Sequence, residues 1–337
     1  MRSQGPDGWR VLVTGGSGFI GTNLVERLSA GDGDVINLDT RPPRSSEQVE
    51  RWRQVDLLDG EQVQRLVDDF EPTHVVHLAA RTDLRGRHEG DYTVNTDGTE
   101  LLLGALAGMR SPPRLIAAST RMVCEIGYQP RGPTDFCPPN AYGASKARME
   151  EIVRAAGYPG TWLITRPTSI WGPWFDVPYR GFFLAVARGW YRHPAGARVL
   201  KSFGYVGNTV EQLIGLLAAE PRSVTSEVYY LADYEPLEVG EWASLISGAT
   251  GGPEVRTAPL GLLRTAAGAG SLLQRLGWSE PPLTRFRLRN LLTEMTYDLE
   301  PIQRHVPTLP FSLRAGVDRT ARWLREHGDL NGASEGR

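Results

Sequence analysis

The chain has 337 residues, with 37 Lys and Arg against 39 Asp and Glu and a formal charge of −2. Hydrophobic residues make up 40 %, ample for a large core, which excludes wholesale disorder. Near-neutral charge disfavours a general nucleic-acid binder, and the two cysteines, Cys124 and Cys137, are too few for a disulfide scaffold or a structural zinc site.

Residues 1–8 are polar and turn-rich, unlike a signal peptide, and no apolar run approaches the ~18 residues of a membrane span. A cytoplasmic protein without nucleic-acid, membrane or metal partners is expected. The pattern then predicts a strand at 10–14, a helix at 19–30 and strands at 35–39 and 52–55. A helix at 61–70 and a strand at 74–78 follow, then a helix at 95–108 and a strand at 114–119. A helix at 141–157 and a strand at 161–166 complete the series, which reads as a parallel sheet with helices on both faces.

After Pro167 the rhythm loosens and aromatic residues gather, including Trp171, Trp174, Phe175, Phe183 and Trp190. Core packing of a smaller lobe is the plainer reading, with part of the cluster lining a ligand cleft as the other. Helices are predicted at 209–219, 239–247 and 312–326, with a strand at 228–231. Segments 248–252 and 261–270 are rich in small residues and carry no assignment, and the tail from Asn331 is expected to fray.

The strongest motif is Thr14-Gly15-Gly16-Ser17-Gly18-Phe19-Ile20-Gly21, between a predicted strand and a predicted helix. Gly15 permits the tight turn, Gly18 lets a pyrophosphate approach the backbone, and Gly21 allows close helix–sheet packing. The helix N-terminus favours the anion. Asp39, closing the second strand, suits a ribose 2′-hydroxyl and repels a 2′-phosphate, so NAD is expected over NADP despite Arg41 and Arg44. Asp56 is a candidate for the adenine end. A second motif, Tyr142-Gly143-Ala144-Ser145-Lys146, puts a phenol and an ammonium on one helix face, where the cation favours the phenolate.

These motifs resemble the extended short-chain dehydrogenase/reductase family, and within it the nucleotide-sugar epimerases and dehydratases, over almost the whole chain. Supporting matches are His77-Leu78-Ala79-Ala80, Asn95-Thr96-Asp97-Gly98-Thr99, Arg166-Pro167 and Gly172-Pro173. The resemblance implies an α/β fold: a Rossmann-type doubly wound parallel sheet with a smaller mixed α/β C-terminal substrate lobe. It implies an NAD-binding domain at 9–166 with sheet contributions from about 200–234. Segments 167–199 and 235–326 would form the lobe, with 327–337 as a tail.

The resemblance makes Tyr142 the catalytic tyrosine and Lys146 the ligand of the nicotinamide ribose, and it matches Thr120 to the third catalytic position. Phe19, Ile20, Leu57, Leu78, Ala79, Ala80 and Asn95 join the glycines and the two aspartates around the cofactor. Ser169, Arg180, Arg192, Lys201 and Arg287, with Thr120, are the candidate contacts for a nucleotide-diphosphate sugar. A homodimer built on the Tyr-Lys helix is also implied.

The 4,6-dehydratases of this family resemble one another in an Asp-Glu pair after the catalytic threonine, where this chain has Arg121 and Met122. Neither side chain performs carboxylate acid–base work. The expectation is a 4-epimerase acting on a UDP-hexose, UDP-hexosamine or UDP-hexuronate through a 4-keto intermediate. A dehydratase, a decarboxylase using nearby Glu125, or a reductase is the alternative. A non-enzymatic NAD-bound protein is a lesser one, because it would not require Thr120, Tyr142 and Lys146 together.

Overall fold

The computed structural model describes residues 8–176, 178–224, 227–278, 281 and 283–330. The predicted fraying beyond Asn331 therefore lies outside the described residues. Two compact units emerge. The first takes the chain to Ile170, then Gly204–Tyr234 and Asp298–Pro310; the second takes Trp171–Phe203, Glu235–Tyr297 and the chain from Phe311. Asp298–Pro310 thus packs with the first unit, whereas the sequence assigns it to the smaller lobe.

The first unit is built on a 7-stranded sheet: β1 (Arg10–Thr14), β2 (Asp34–Asp39), β3 (Trp52–Gln54), β4 (His74–His77), β5 (Arg114–Ala118), β6 (Trp162–Pro167) and β7 (Val228–Leu231). Spatial order is β7-β6-β5-β4-β1-β2-β3 and every pairing is parallel. Leu12 faces Ile36 in β2 on one side and Val75 in β4 on the other. Continuous apolar runs such as Val11-Leu12-Val13, all buried, fit strands covered on both faces.

Helices α1 (Phe19–Ser29), α2 (Gly60–Phe70), α3 (Thr93–Ala107), α4 (Ala141–Ala155) and α5 (Val206–Ala218) cover the sheet. Helices α2, α3 and α4 pack successively in one layer, and α1 lies against α5 in the other. Leu12, Val75, Leu102, Leu106, Met149 and Ile164 belong to one buried core under the first layer. The winding reverses between β1 and β4. In a doubly wound sheet the carboxyl ends of the strands at such a reversal form the ligand crevice.

The second unit holds an aromatic core in which Trp171, Phe175, Phe183 and Trp242 are buried and Phe182 stacks on Trp242 at 4.9 Å. Trp190 is exposed. Helices at Tyr179–Ala187, Leu260–Arg275 and Arg285–Leu292 have no counterpart in the predicted elements. Small residues hid the second of these: Gly270 sits so close to Leu283 that a Cβ would lie 1.9 Å from its carbonyl oxygen.

Candidate active site

Gly15 opens the turn after β1 with φ +72°, in the left-handed region that glycine tolerates. A Cβ there would stand 2.5 Å from the Ala79 nitrogen, so the β1 and β4 loops meet backbone to backbone at the reversal. A Cβ on Gly21 would stand 2.3 Å from the Gly15 oxygen. Gly18 is the N-cap of α1 in extended conformation, with no side-chain cap and no acid in the first turn. This cradle at a helix N-terminus fits a dinucleotide pyrophosphate.

Asp39 is 8 % exposed, with Oδ2 accepting from the Ser17 N–H at 3.1 Å and Oδ1 from the Arg41 N–H at 3.0 Å. Its carboxylate is thereby fixed beside the glycine turn, where a ribose diol of NAD needs an acceptor. Asn37 donates to Ser17 Oγ at 3.0 Å and buttresses the same turn. Phe19 and Ile20 are half-buried in the first turn of α1, and Leu78, Ala79 and Ala80 are half-buried after β4. Asp56 is exposed and accepts from the Leu58 N–H at 3.0 Å, while Leu57 is buried in the core.

Thr120 follows β5, and its hydroxyl accepts from the Met122 N–H at 3.2 Å and lies near enough to the Tyr142 phenol to lower its pKa. Asn140 starts α4 by accepting from the Gly143 N–H at 2.9 Å, placing Tyr142 in the first turn. Burial pushes the Tyr142 phenol up to about 12, against the opposing pull of the Thr120 hydroxyl. Lys146 is 2 % exposed, and burial lowers its ammonium to about 8 although Glu150 one turn on opposes the shift. The structure therefore gathers Thr120 and Tyr142 directly, with Lys146 buried on the same helix.

Several groups that the motifs include find partners that the motifs do not show. His77, held neutral by burial and by Lys146 with its pKa lowered to about 3, bridges the Thr14 and Thr99 hydroxyls at 2.7 and 3.0 Å. Asn95 donates to Ser145 Oγ at 2.9 Å, and Ser145 donates to the Tyr142 carbonyl at 2.8 Å. Glu150, fully buried, accepts both Nε and Nη2 of Arg166 at 2.8 Å. The i,i+4 spacing of Lys146 and Glu150 was a readable signal. Arg166, sixteen positions further along, was not.

The predicted substrate residues have protein partners of their own. Ser169 is buried in the short strand Ser169–Trp171. Arg180 pairs with Asp329, its Nε 3.1 Å from Oδ2, and Arg192 donates to the Gly189 and Tyr191 carbonyls. Lys201, 1 % exposed, donates to the Asn290 carbonyl at 2.6 Å and to that of Thr293. Arg287 donates to the Pro281 carbonyl at 2.6 Å. Arg121 is buried and Glu125 exposed.

The profile of the NAD dependent epimerase/dehydratase family matches residues 11–229. The 4-hydroxy-2-methyl-3-oxo-4-farnesyl-3,4-dihydroquinoline-1-oxide ketoreductase of Stigmatella aurantiaca is 29 % identical over 308 residues, 88 % of this chain and 91 % of that protein. UDP-glucuronate 4-epimerase 6 of Arabidopsis thaliana is 28 % identical over 283 residues, 73 % of this chain and 61 % of that protein. The crystal structure of the UDP-glucose 4-epimerase of Thermus thermophilus in complex with NAD aligns with a TM-score of 0.68 at 25 % identity, covering 94 % of this chain and 99 % of that one.

Proposed function

The chain belongs to the NAD-dependent epimerase/dehydratase family, and on that premise we propose that it is a nucleotide-sugar 4-epimerase whose catalytic groups are Thr120, Tyr142 and Lys146. NAD, when bound, supplies the hydride acceptor and donor. Gly15, Gly18, Gly21 and Asp39 would hold its dinucleotide, and Lys146 its nicotinamide ribose. The Tyr142 phenolate removes the proton of the C4 hydroxyl as that carbon is oxidised. The Lys146 ammonium stabilises the phenolate, and Thr120 orients the sugar oxygen. The 4-keto sugar turns its other face to the site, and Tyr142 returns the proton as C4 is reduced with inverted configuration.

The observation that carries this reading is that Thr120 and Tyr142 lie close enough for the hydroxyl to lower the phenol's pKa, beside a turn whose next two positions are Arg121 and Met122 rather than the Asp-Glu pair of a 4,6-dehydratase. By resemblance, the protein would work as a homodimer joined through α4.

A second reading is reduction of an apolar ketone by the same three residues. It is favoured by the internal partners of Arg180, Arg192, Lys201 and Arg287, which leave those cations committed within the protein. The Stigmatella relative is itself named as a ketoreductase. Incubation with NAD and UDP-glucose, UDP-glucuronate or UDP-N-acetylglucosamine separates the readings. The epimerase gives a product of unchanged mass with an inverted C4 proton signal and no net NADH. Loss of water or carbon dioxide, or activity confined to stoichiometric oxidation of NADH by apolar ketones, would overturn it.

A further inference from the structure

We propose that the hairpin formed by the helices Leu260–Arg275 and Arg285–Leu292 is a docking face for an anionic lipid bilayer. The hairpin has its own core: Leu263, Ala267 and Leu288 are buried together, with Leu283, Leu291 and Leu292 packed against them. Its outer surface is nevertheless apolar. Leu262, Leu272, Leu273 and Leu276 are 62 %, 58 %, 41 % and 75 % exposed, and Trp278 and Phe286 are each 51 % exposed. Leu272, Leu273 and the C-cap Leu276 cluster at the end of the first helix and Leu262 lies near its start, all on a side of the helix beside the buried stripe at 263, 267 and 270. Scattered exposed leucines are ordinary, whereas a contiguous set with an exposed Trp and Phe marks an interaction face.

Charge selects the occupant. Between Val255 and Thr293 the sequence holds Arg256, Arg264, Arg275, Arg285, Arg287 and Arg289 against one acid, Glu280, in a chain whose total charge is −2. Arg264, Arg275, Arg285 and Arg289 are exposed. A second copy docked by two-fold symmetry would set this arginine-rich face against itself. An anionic headgroup layer complements it, with Leu, Trp and Phe entering the acyl boundary and the arginines at the phosphates.

The first helix has 16 residues, and at 1.5 Å per residue it is too short for a hydrocarbon core of about 30 Å. Among the described residues no helix is long and apolar enough to cross a membrane. The hairpin therefore lies on the surface. This departs from the absence of a membrane partner that the composition predicts.

Flotation of the full chain with vesicles tests the proposal. Binding is expected to vesicles of phosphatidylcholine with phosphatidylglycerol, not to phosphatidylcholine alone, and to weaken as salt rises. The double substitution L272D/L276D should abolish it while near-ultraviolet circular dichroism and NAD binding stay unchanged. R285Q/R289Q, which leaves the apolar stripe intact, should weaken binding about 30-fold. Failure to float with either vesicle would overturn the proposal, as would flotation unaffected by both variants. A dimer that L272D/L276D converts to monomer, without lipid binding by the wild type, would overturn it in favour of a second copy.

Discussion

Gly143 lies directly against the carbonyl of Met122: a Cβ at position 143 would stand 2.2 Å from that oxygen. The obstructing atom is backbone, so neither side can yield by a rotamer change. This contact sets the first turn of α4 against the turn after β5 and so brings the Tyr142 phenol close to Thr120. G143A should push the two segments apart. The expected outcome is a loss of about 1–3 kcal/mol in denaturant unfolding and a fall in kcat of up to roughly 100-fold, with NAD affinity retained.

Removing the phenolic oxygen tests the acid–base assignment without disturbing the fold. Y142F should lower kcat by roughly 10²–10⁴-fold while calorimetric titration still reports NAD binding. T120V should give a smaller loss and move the rising, acid limb of the kcat profile to higher pH. The Thr120 hydroxyl now lowers the phenol's pKa against the opposing effect of burial.

The buried ammonium gives stability a pH signature. Lys146 titrates near 8 in the folded protein and at 10.5 when exposed. Between these values the unfolded chain binds more protons, so the unfolding free energy should rise with pH across that window and stay at its lower level below it. K146M removes the buried charge. It should abolish turnover yet stabilise the apoprotein at pH 7 by about 3 kcal/mol, the equivalent of the shift from 10.5 to about 8. Chemical denaturation at pH 7 and pH 10 reads both effects.

Glu150 couples this site to β6. Its carboxylate accepts two hydrogen bonds from Arg166 and one at 3.0 Å from Arg154, and it is the group that holds the Lys146 pKa up against burial. E150Q should destabilise by roughly 3–5 kcal/mol, because Arg166 is left buried without its counter-ion. It should also move the Lys146 limb of the activity profile to lower pH. R166M in the same chain should recover part of the stability and leave the altered pH profile in place.

The site divides along the same line as the fold. The Gly15–Gly21 turn, Asp39 and the Tyr142–Lys146 spacing are legible because each is a local arrangement, set by φ preference, strand ending or helical period within a few residues. The alternation of strand and helix through Arg166 is legible for the same reason: apolar runs of strand length alternate with amphipathic helical stretches. The helix Leu260–Arg275 was not legible, since its glycines disfavour helix and its small residues from Thr265 to Gly270 give no large apolar residues at helical spacing.

Which charged groups find protein partners was decided only by tertiary structure. Arg180 with Asp329, Lys201 with the carbonyls at the end of Arg285–Leu292, and Arg166 with Glu150 are pairings across long stretches of chain. A solvated arginine and an arginine locked on a buried carboxylate look alike in sequence. Desolvation then fixes the outcome, because a buried charge must find its counter-ion or acceptor wherever the folded backbone places it.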